Sequence, residues 1–300
     1  MEYKSFSVII PTYDRESLYE TLSSLSMQDY PSDKIETLVI DDGERKIARD
    51  ICLNFSGKLN IKYLEIEHSG PAKARNLGIK NAANEIILFL GDDIIADRNL
   101  IKTHFFSHME RKAENQGILG RVTWYEKLKI TPFMLWLENG GPQFDFASLK
   151  NAQKTDYRHF YTCNISIKRA FILKYNFYFN ENFIYAAYED SELGYRMGKK
   201  NFELYYYSEA LGYHNHHISA RSYKERMKQV GISRHILDSS ISFKSKTEIS
   251  LLHYAYKLIK AYLYYSLSLI CEKRFYCPKI FLGFTEGFYS IGFYGKKYKK

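Results

Sequence analysis

The first ninety residues alternate short, strongly apolar blocks with longer segments in which apolar residues recur every three or four positions. Phe6 to Ile10, Ile35 to Ile40, Ile61 to Ile66 and Glu85 to Leu90 have the length and composition of strands. Between them, Arg15 to Met27 places Leu18, Leu22 and Leu25 on one helix face, and Glu44 to Phe55 and Pro71 to Ala83 read as two further helices. This βαβαβαβ order predicts an α/β fold, a mostly parallel sheet covered by helices on both faces with right-handed crossovers.

After Asp93 the rhythm loosens. The pattern predicts a helix over Asn99 to Lys112, a strand over Ile118 to Trp124 and a helix over Pro132 to Leu137. A polar loop follows from Glu138 to Asp156, with a turn at Gly140-Gly141-Pro142. Next come a strand over Tyr161 to Ile167, helices over Arg169 to Tyr175 and Glu189 to Lys199, and a strand-like Leu204 to Tyr207. Beyond about residue 220 the signal is helical and aromatic. This predicts a domain over 1–220, with halves 1–95 and 96–220, and a helical extension over 221–300.

Three apolar runs stop in polar residues: Ile9-Ile10-Pro11-Thr12-Tyr13-Asp14, Val39-Ile40-Asp41-Asp42-Gly43 and Phe89-Leu90-Gly91-Asp92-Asp93. In an open α/β sheet, ligands bind in the crevice beyond the strand carboxyl ends, so three such endings predict one shared polar site. Two carboxylate pairs repel a bare phosphate, which makes sense if a divalent cation stands between them or if some of them hold a base and sugar.

Composition adds little to the fold but narrows the partners. The 300 residues are 45% hydrophobic and 26% charged, ordinary for a globular chain. The net charge of +9 favours anionic partners. Cys52, Cys163, Cys271 and Cys277 form no CxxC pair, which argues against a zinc site or a disulfide framework and for a reducing compartment. Met1-Glu2-Tyr3-Lys4 leads straight into a strand-like run, so no secretory signal is expected, and no apolar stretch has spanning length.

Each remaining segment has a structural and a chemical reading. Gly70-Pro71-Ala72-Lys73-Ala74-Arg75-Asn76 makes a good helix start, and Lys73 and Arg75 there also suit phosphate or ribose oxygens. Asp92 and Asp93 could cap a turn, but adjacent carboxylates favour a cation. Glu189-Asp190 complements a helix dipole and could equally present a general base. His214-Asn215-His216-His217 groups three imidazoles, with His214 the best placed as a metal or phosphate ligand.

Together these segments resemble the inverting family 2 nucleotide-sugar glycosyltransferases of GT-A fold. Val8-Ile9-Ile10-Pro11-Thr12-Tyr13-Asp14-Arg15 is similar to their VIIPTYNR signature, and Asp41-Asp42-Gly43 to their DDGS, with Glu44 in place of Ser. Gly70 to Asn76 resembles their G-x-x-x-A-R-N segment, and Gly91-Asp92-Asp93 stands where DxD is usual. Thr162-Cys163-Asn164-Ile165-Ser166-Ile167-Lys168-Arg169 resembles their acceptor-side T-x-N-x-S-x-x-R, and Glu189-Asp190 their ED motif.

The resemblance implies a nucleotide-binding half over 1–95 and an acceptor half over 96–220. Pro11, Thr12, Tyr13, Asp14, Asp41, Asp42, Lys73, Arg75 and Asp92 would bind the nucleotide sugar, with Tyr13 stacking on the base and Asp41 or Asp42 accepting from it. Asp93, with His214, would hold Mg²⁺ or Mn²⁺, and Asp190 would be the base, with Glu189 beside it. Gln229 is followed by Val230, Gly231 and Ile232 rather than a Q-x-x-R-W motif, so transfer of one sugar is expected rather than polymerisation.

The implied partners are a nucleotide-diphosphate sugar and a glycan or lipid-linked acceptor in cell-surface polysaccharide synthesis. The rivals are a sugar-1-phosphate nucleotidyltransferase, which should carry a Gly-rich basic loop after its first strand, and a non-catalytic nucleotide-sugar-binding module. From Tyr254 to Lys300, nine Lys or Arg stand against two Glu among many aromatics. That tail predicts a cytoplasmic protein in peripheral contact with an anionic membrane, or a face packed on the domain. No RNP-like strand supports nucleic-acid binding.

Overall fold

The computed structural model describes residues 2–138, 145–241 and 259. Strands β1 (Phe6–Thr12), β2 (Ile35–Asp41), β3 (Asn60–Glu65) and β4 (Ile86–Leu90) alternate with helices α1 (Leu18–Leu25), α2 (Ile47–Leu53) and α3 (Pro71–Asn81). They form the parallel array β3-β2-β1-β4 that the alternation predicts. Ile9, Ile10, Leu38, Val39, Ile40 and Ile87 to Leu90 are fully buried, as expected of strands covered on both faces. Each such side chain contributes roughly 1.5–3 kcal/mol of burial free energy. Helix α3 lies close on β1, because a Cβ at Gly78 would stand 2.4 Å from the Ile9 side chain.

Helices α1 and α2 start three residues later than their periodicity predicts. Lys46 has left-handed backbone at φ 58°, which excludes a right-handed helix running through it, and Asp14, just before the expected start of α1, is left-handed as well at φ 50°. The Asp14 carboxylate accepts the amides of Glu44 and Arg45, so the two connections are tied to each other.

The second half departs from a parallel sheet. Its elements are β5 (Ile94–Ala96), α4 (Leu100–Glu110), β6 (Gln116–Trp124), α5 (Pro132–Glu138), β7 (Lys154–Thr155), β8 (Asn164–Lys168), α6 (Arg169–Lys174), α7 (Glu189–Gly198), β9 (Glu203–His214) and α8 (Ala220–Ile241). Strand β8 pairs antiparallel with β4 and with β6, and β6 runs parallel to β9. Strands β5 and β7 are short and pair antiparallel with β9. The short β5 and β7 fall below any sequence periodicity. Strand β9 extends seven residues beyond Tyr207, passing an irregularity in its pairing with β6.

Asn164 and Ser166 of the T-x-N-x-S segment serve the fold. The carbonyls of Arg121 and Ala210 accept both protons of the Asn164 amide, leaving its oxygen to accept from His104 Nε2 at 2.9 Å. That choice directs the Ser166 hydroxyl to His104 Nδ1 and makes it the acceptor for His108 Nε2, both at 2.8 Å. Burial holds both imidazoles below the usual histidine range, so this chain of bonds fastens α4 to β8 without charge.

Helix α8 contacts α7, and a separate apolar cluster joins its Tyr223 and Met227 to Trp124, Phe133, Met134 and Leu137. The first turns of the expected C-terminal extension are therefore packed on the domain. Residues 242–258 and 260–300, which hold the basic aromatic tail, and the Gly140-Gly141-Pro142 turn lie outside the described residues. No helix among the described residues is long and apolar enough to cross a membrane.

Candidate active site

The parallel register puts the first and third polar strand endings side by side. Ile9 pairs with Phe89, so three residues further on Thr12 meets Asp92, and its hydroxyl donates to the Asp92 carboxylate at 2.8 Å. The second ending is beside them, since Thr12 pairs with Asp41. A cleft of about 230 Å³ opens here. Its walls are Pro11 and Thr12 at the end of β1, Tyr13 and Arg15 after it, Asp42 after β2, His68 and Gly70 before α3, Asp92, and Ile184 and Ala186 opposite.

Within the cleft the two aspartates after β2 separate. Asp41 is fully buried and turned away, accepting from Tyr63 Oη at 2.7 Å and the Gly43 amide at 2.9 Å. Asp42 lines the cleft and accepts from His68 Nδ1 and the amides of Ser69 and Gly70. Tyr13 is 45% exposed, with its ring centroid 4.7 Å from that of His68. Gly70 has φ 90° and ψ 170°, a conformation essentially confined to glycine, and a Cβ there would meet the Ile184 carbonyl at 3.0 Å.

Asp93 finds its partners through the short β5. Because Ile94 pairs with His214, the preceding Asp93 lies against the end of β9. His214 Nε2 stands 3.3 Å from its carboxylate, and the Asn215 amide donates to its carbonyl at 2.7 Å. Arg15 bridges the carboxylates, 3.7 Å from Asp92 and 3.4 Å from Asp93, and reaches His216 at 3.3 Å.

The two neighbours therefore titrate in opposite directions. Burial and then the Asp93 charge push Asp92 up, against Arg15 and the Thr12 hydroxyl. Burial would also raise Asp93, but His214, Arg15 and His216 outweigh it and hold this carboxyl well below the usual range.

No three metal-ligating side chains converge among the described residues. The donor set still fits a divalent cation bound partly by phosphate. Asp93 and His214 present one carboxylate and one imidazole at the same point, and such ions commonly complete their shell with phosphate oxygens and water.

The acceptor-side carboxylates sit at the start of α7. Glu189 is 2% exposed and paired with Arg75 at 2.8 Å, with the guanidinium over the Phe179 ring. Asp190 accepts from the Ser191 amide at 2.7 Å and from the backbone of Thr162. Burial and then the Glu189 charge push Asp190 up to about 7, against Arg75 and those amides. Cys163 lies within electrostatic reach of both Asp190 and Asp93, and its carbonyl accepts from the Gly91 amide.

Pro11, Thr12, Tyr13, Asp42 and Asp92 thus share the cleft, and Asp93 with His214 adjoins it through Arg15. Asp14 and Lys73 are not among the lining residues: Asp14 holds the amides of Glu44 and Arg45, and Lys73 is exposed and bonded to Ser69. Arg75 is spent on Glu189. Arg15, His68 and Arg226 were not singled out from sequence. Arg15 ends the recognised Val8 to Arg15 segment and His68 lies two residues before Gly70, which was the available signal. Arg226, on α8, donates to the Ala186 carbonyl and lies in electrostatic reach of Glu189, Asp190 and Arg15; nothing in the local sequence marks it.

A cleft at the carboxyl ends of parallel strands, walled by an aromatic ring and the carboxylates of Asp42 and Asp92, is where an α/β fold of GT-A type places its ligand crevice. The profile of Glycosyl transferase family 2 matches residues 7–172, and the chain belongs to that family. The poly(ribitol-phosphate) β-N-acetylglucosaminyltransferase TarS of Staphylococcus aureus is 38% identical over 100 residues, covering 32% of this chain and 18% of that protein. The validoxylamine A glucosyltransferase of Streptomyces hygroscopicus subsp. limoneus is 28% identical over 215 residues, 64% of this chain and 47% of that one. The chain thus spans less than half the length of these curated relatives. The crystal structure of S. aureus TarS 1–349 with UDP-GlcNAc shares the fold, at a TM-score of 0.55 and 19% identity over 95% of this chain and 91% of that one.

Proposed function

We propose that this chain is an inverting, divalent-cation-dependent glycosyltransferase that moves one sugar from a nucleotide-diphosphate sugar to a hydroxyl of a glycan or lipid-linked acceptor in cell-surface polysaccharide synthesis. The observation that carries the reading is the division of labour between two acidic centres. Asp92 lines the cleft with Arg15, which also pairs with Asp93 beside His214, while Asp190, in electrostatic reach of Cys163 as Asp93 is, has a raised carboxyl. The UDP-GlcNAc complex of the structural neighbour supports a UDP-sugar as the first donor to try.

The base of the nucleotide stacks on the exposed face of Tyr13, with Asp42 rather than the inward-turned Asp41 accepting from it. Asp92, held by Thr12, receives the ribose. Transfer is one in-line displacement. Asp190 takes the proton of the acceptor hydroxyl as its oxygen bonds to the anomeric carbon, and the bond to the diphosphate oxygen breaks with the electron pair leaving on the diphosphate. Glu189 is held by Arg75 and so positions the start of α7, leaving Asp190 as the base. Arg15 and Arg226 face the charge that develops on the leaving group. A bound Mg²⁺ or Mn²⁺ on Asp93 and His214 supplies further neutralisation of that charge.

Thermal stabilisation and donor hydrolysis across a panel of nucleotide sugars, with and without Mn²⁺, tests this reading. Metal-dependent stabilisation by one donor class is expected. A chain stabilised by none of them, or equally well in chelator, contradicts it.

A further inference from the structure

A second cavity, of about 620 Å³, opens at the opposite end of the sheet. It lies where β1 and β4 begin and β8 ends, among Lys4, Glu85 and Lys168. From Ile86 to Asp92 along β4 is six residues, about 20 Å at the rise of a strand, so this cavity is no part of the donor cleft. Its volume falls in the range of small-molecule sites, roughly 300–1,000 Å³.

The charges around it do not cancel. Glu85 is satisfied by Lys4 at 2.7 Å and by the Ser5 amide, and Glu114 stands 3.8 Å from Lys174. Three lining cations, Lys112, Lys168 and Arg169, have no carboxylate partner among the described residues. Lys168 donates to the carbonyls of Arg111 and Gln116, which anchors it at the end of α4. The Arg169 Nε is buried without a hydrogen-bond partner. Burial and then the Lys4 charge lower the Lys168 ammonium to about 8, partly offset by Glu114. Lys112 is exposed, but Lys168 and the Arg169 Nε are partly desolvated, and a desolvated cation is costly unless an anion joins it.

We propose that this cavity is a phosphate-binding site, in which Lys112, Lys168 and Arg169 receive the oxyanions of a phosphate or pyrophosphate group. Arg169 offers the planar fork that suits phosphate, and the two lysines add point charge. The group is carried either by a free soluble phosphate or by a lipid headgroup. The site stands on its own residues and is independent of the donor reading.

Calorimetry with inorganic pyrophosphate on the full chain tests it, using Arg15→Ala to weaken any binding in the donor cleft. Binding is expected to persist in Arg15→Ala. Adding Lys112→Ala and Arg169→Ala should then weaken it at least about tenfold, the scale of lost charge-assisted bonds, with the melting temperature unchanged. These two side chains make no ion pair that the fold relies on, whereas Lys168 anchors α4 and is left in place. Loss of all pyrophosphate binding in Arg15→Ala alone, or undiminished binding in the triple variant, overturns the proposal. Vesicles of phosphatidylglycerol that displace pyrophosphate identify a headgroup as the source; vesicles that do not, while pyrophosphate binds, identify a soluble phosphate.

Discussion

Asp190 is half-buried at the start of α7, beside the buried Glu189. A general base works best when its pKa is near the operating pH, and burial beside Glu189 raises this one to about 7. Because a base must be ionised, kcat/KM should fall tenfold per pH unit well below 7 and level off above it. A pH–rate profile checks this, and an inflection at the ordinary aspartate value of about 3.9 would show that the titrating group is elsewhere. Asp190→Asn should preserve donor affinity while lowering transfer at least about 10²-fold, measured with donor binding and turnover on the same preparation. On the donor side, Asp93→Ala removes the carboxylate that meets His214 and should abolish the Mn²⁺ dependence of donor affinity. Calorimetry with donor in Mn²⁺ and in chelator reads the difference, and an unchanged difference removes Asp93 from the cation site.

At the scale of elements, the cleft depends on close approaches that single atoms would spoil. Gly70→Ala forces a side chain into a glycine-only conformation against the Ile184 carbonyl, a strain of about 1–3 kcal/mol. The expected result is a lower melting temperature together with weaker donor binding, because the loop carrying Ile184 and Ala186 forms the facing wall. Helix α8 holds the other end of that loop: Arg234 lies over the ring of Tyr188, whose left-handed backbone directly precedes Glu189 and Asp190. Arg234→Ala should therefore lower kcat more than it raises KM, and Arg234→Lys should restore part of the loss. Equal effects of Ala and Lys, confined to the melting temperature, would reduce Arg234 to a purely structural contact.

The donor cleft and the cavity around Lys168 lie at opposite ends of one sheet, and most of the net charge lies in the tail. Residues 254–300 carry a net +7, and each basic side chain near an anionic surface contributes up to about 1 kcal/mol. Deletion after Lys246 should weaken flotation with anionic liposomes while leaving donor binding intact, since every residue placed at the cleft precedes that position. Added salt should weaken the full chain's attachment in the same assay, because exposed charges are screened beyond roughly 8 Å at physiological ionic strength. A truncated chain that floats as well as the full one would assign any membrane contact to the folded domain.

The sequence by itself determined the parallel half of the fold and the ends of its strands. Ile9 to Thr12, Val39 to Asp42 and Phe89 to Asp93 change from apolar to polar where the sheet ends, and a buried parallel strand writes its burial into consecutive residues. That predicts one crevice for all three endings, Asp14 and Asp41 included, and of these the cleft is lined by Tyr13, Asp42 and Asp92.

What only the tertiary structure decided were the long-range pairings, because no local signal records them. The short β5 carries Asp93 to His214 across 121 residues. The ion pair between Arg75 and Glu189 joins segments 114 residues apart. Asp41 and Asp42 are indistinguishable in the chain. They part company only because alternate positions beyond β2 face opposite ways, one to Tyr63 in the interior and the other to the cleft. Side-chain identity announced the chemistry, and the register of strands far apart in sequence selected which of those side chains can meet.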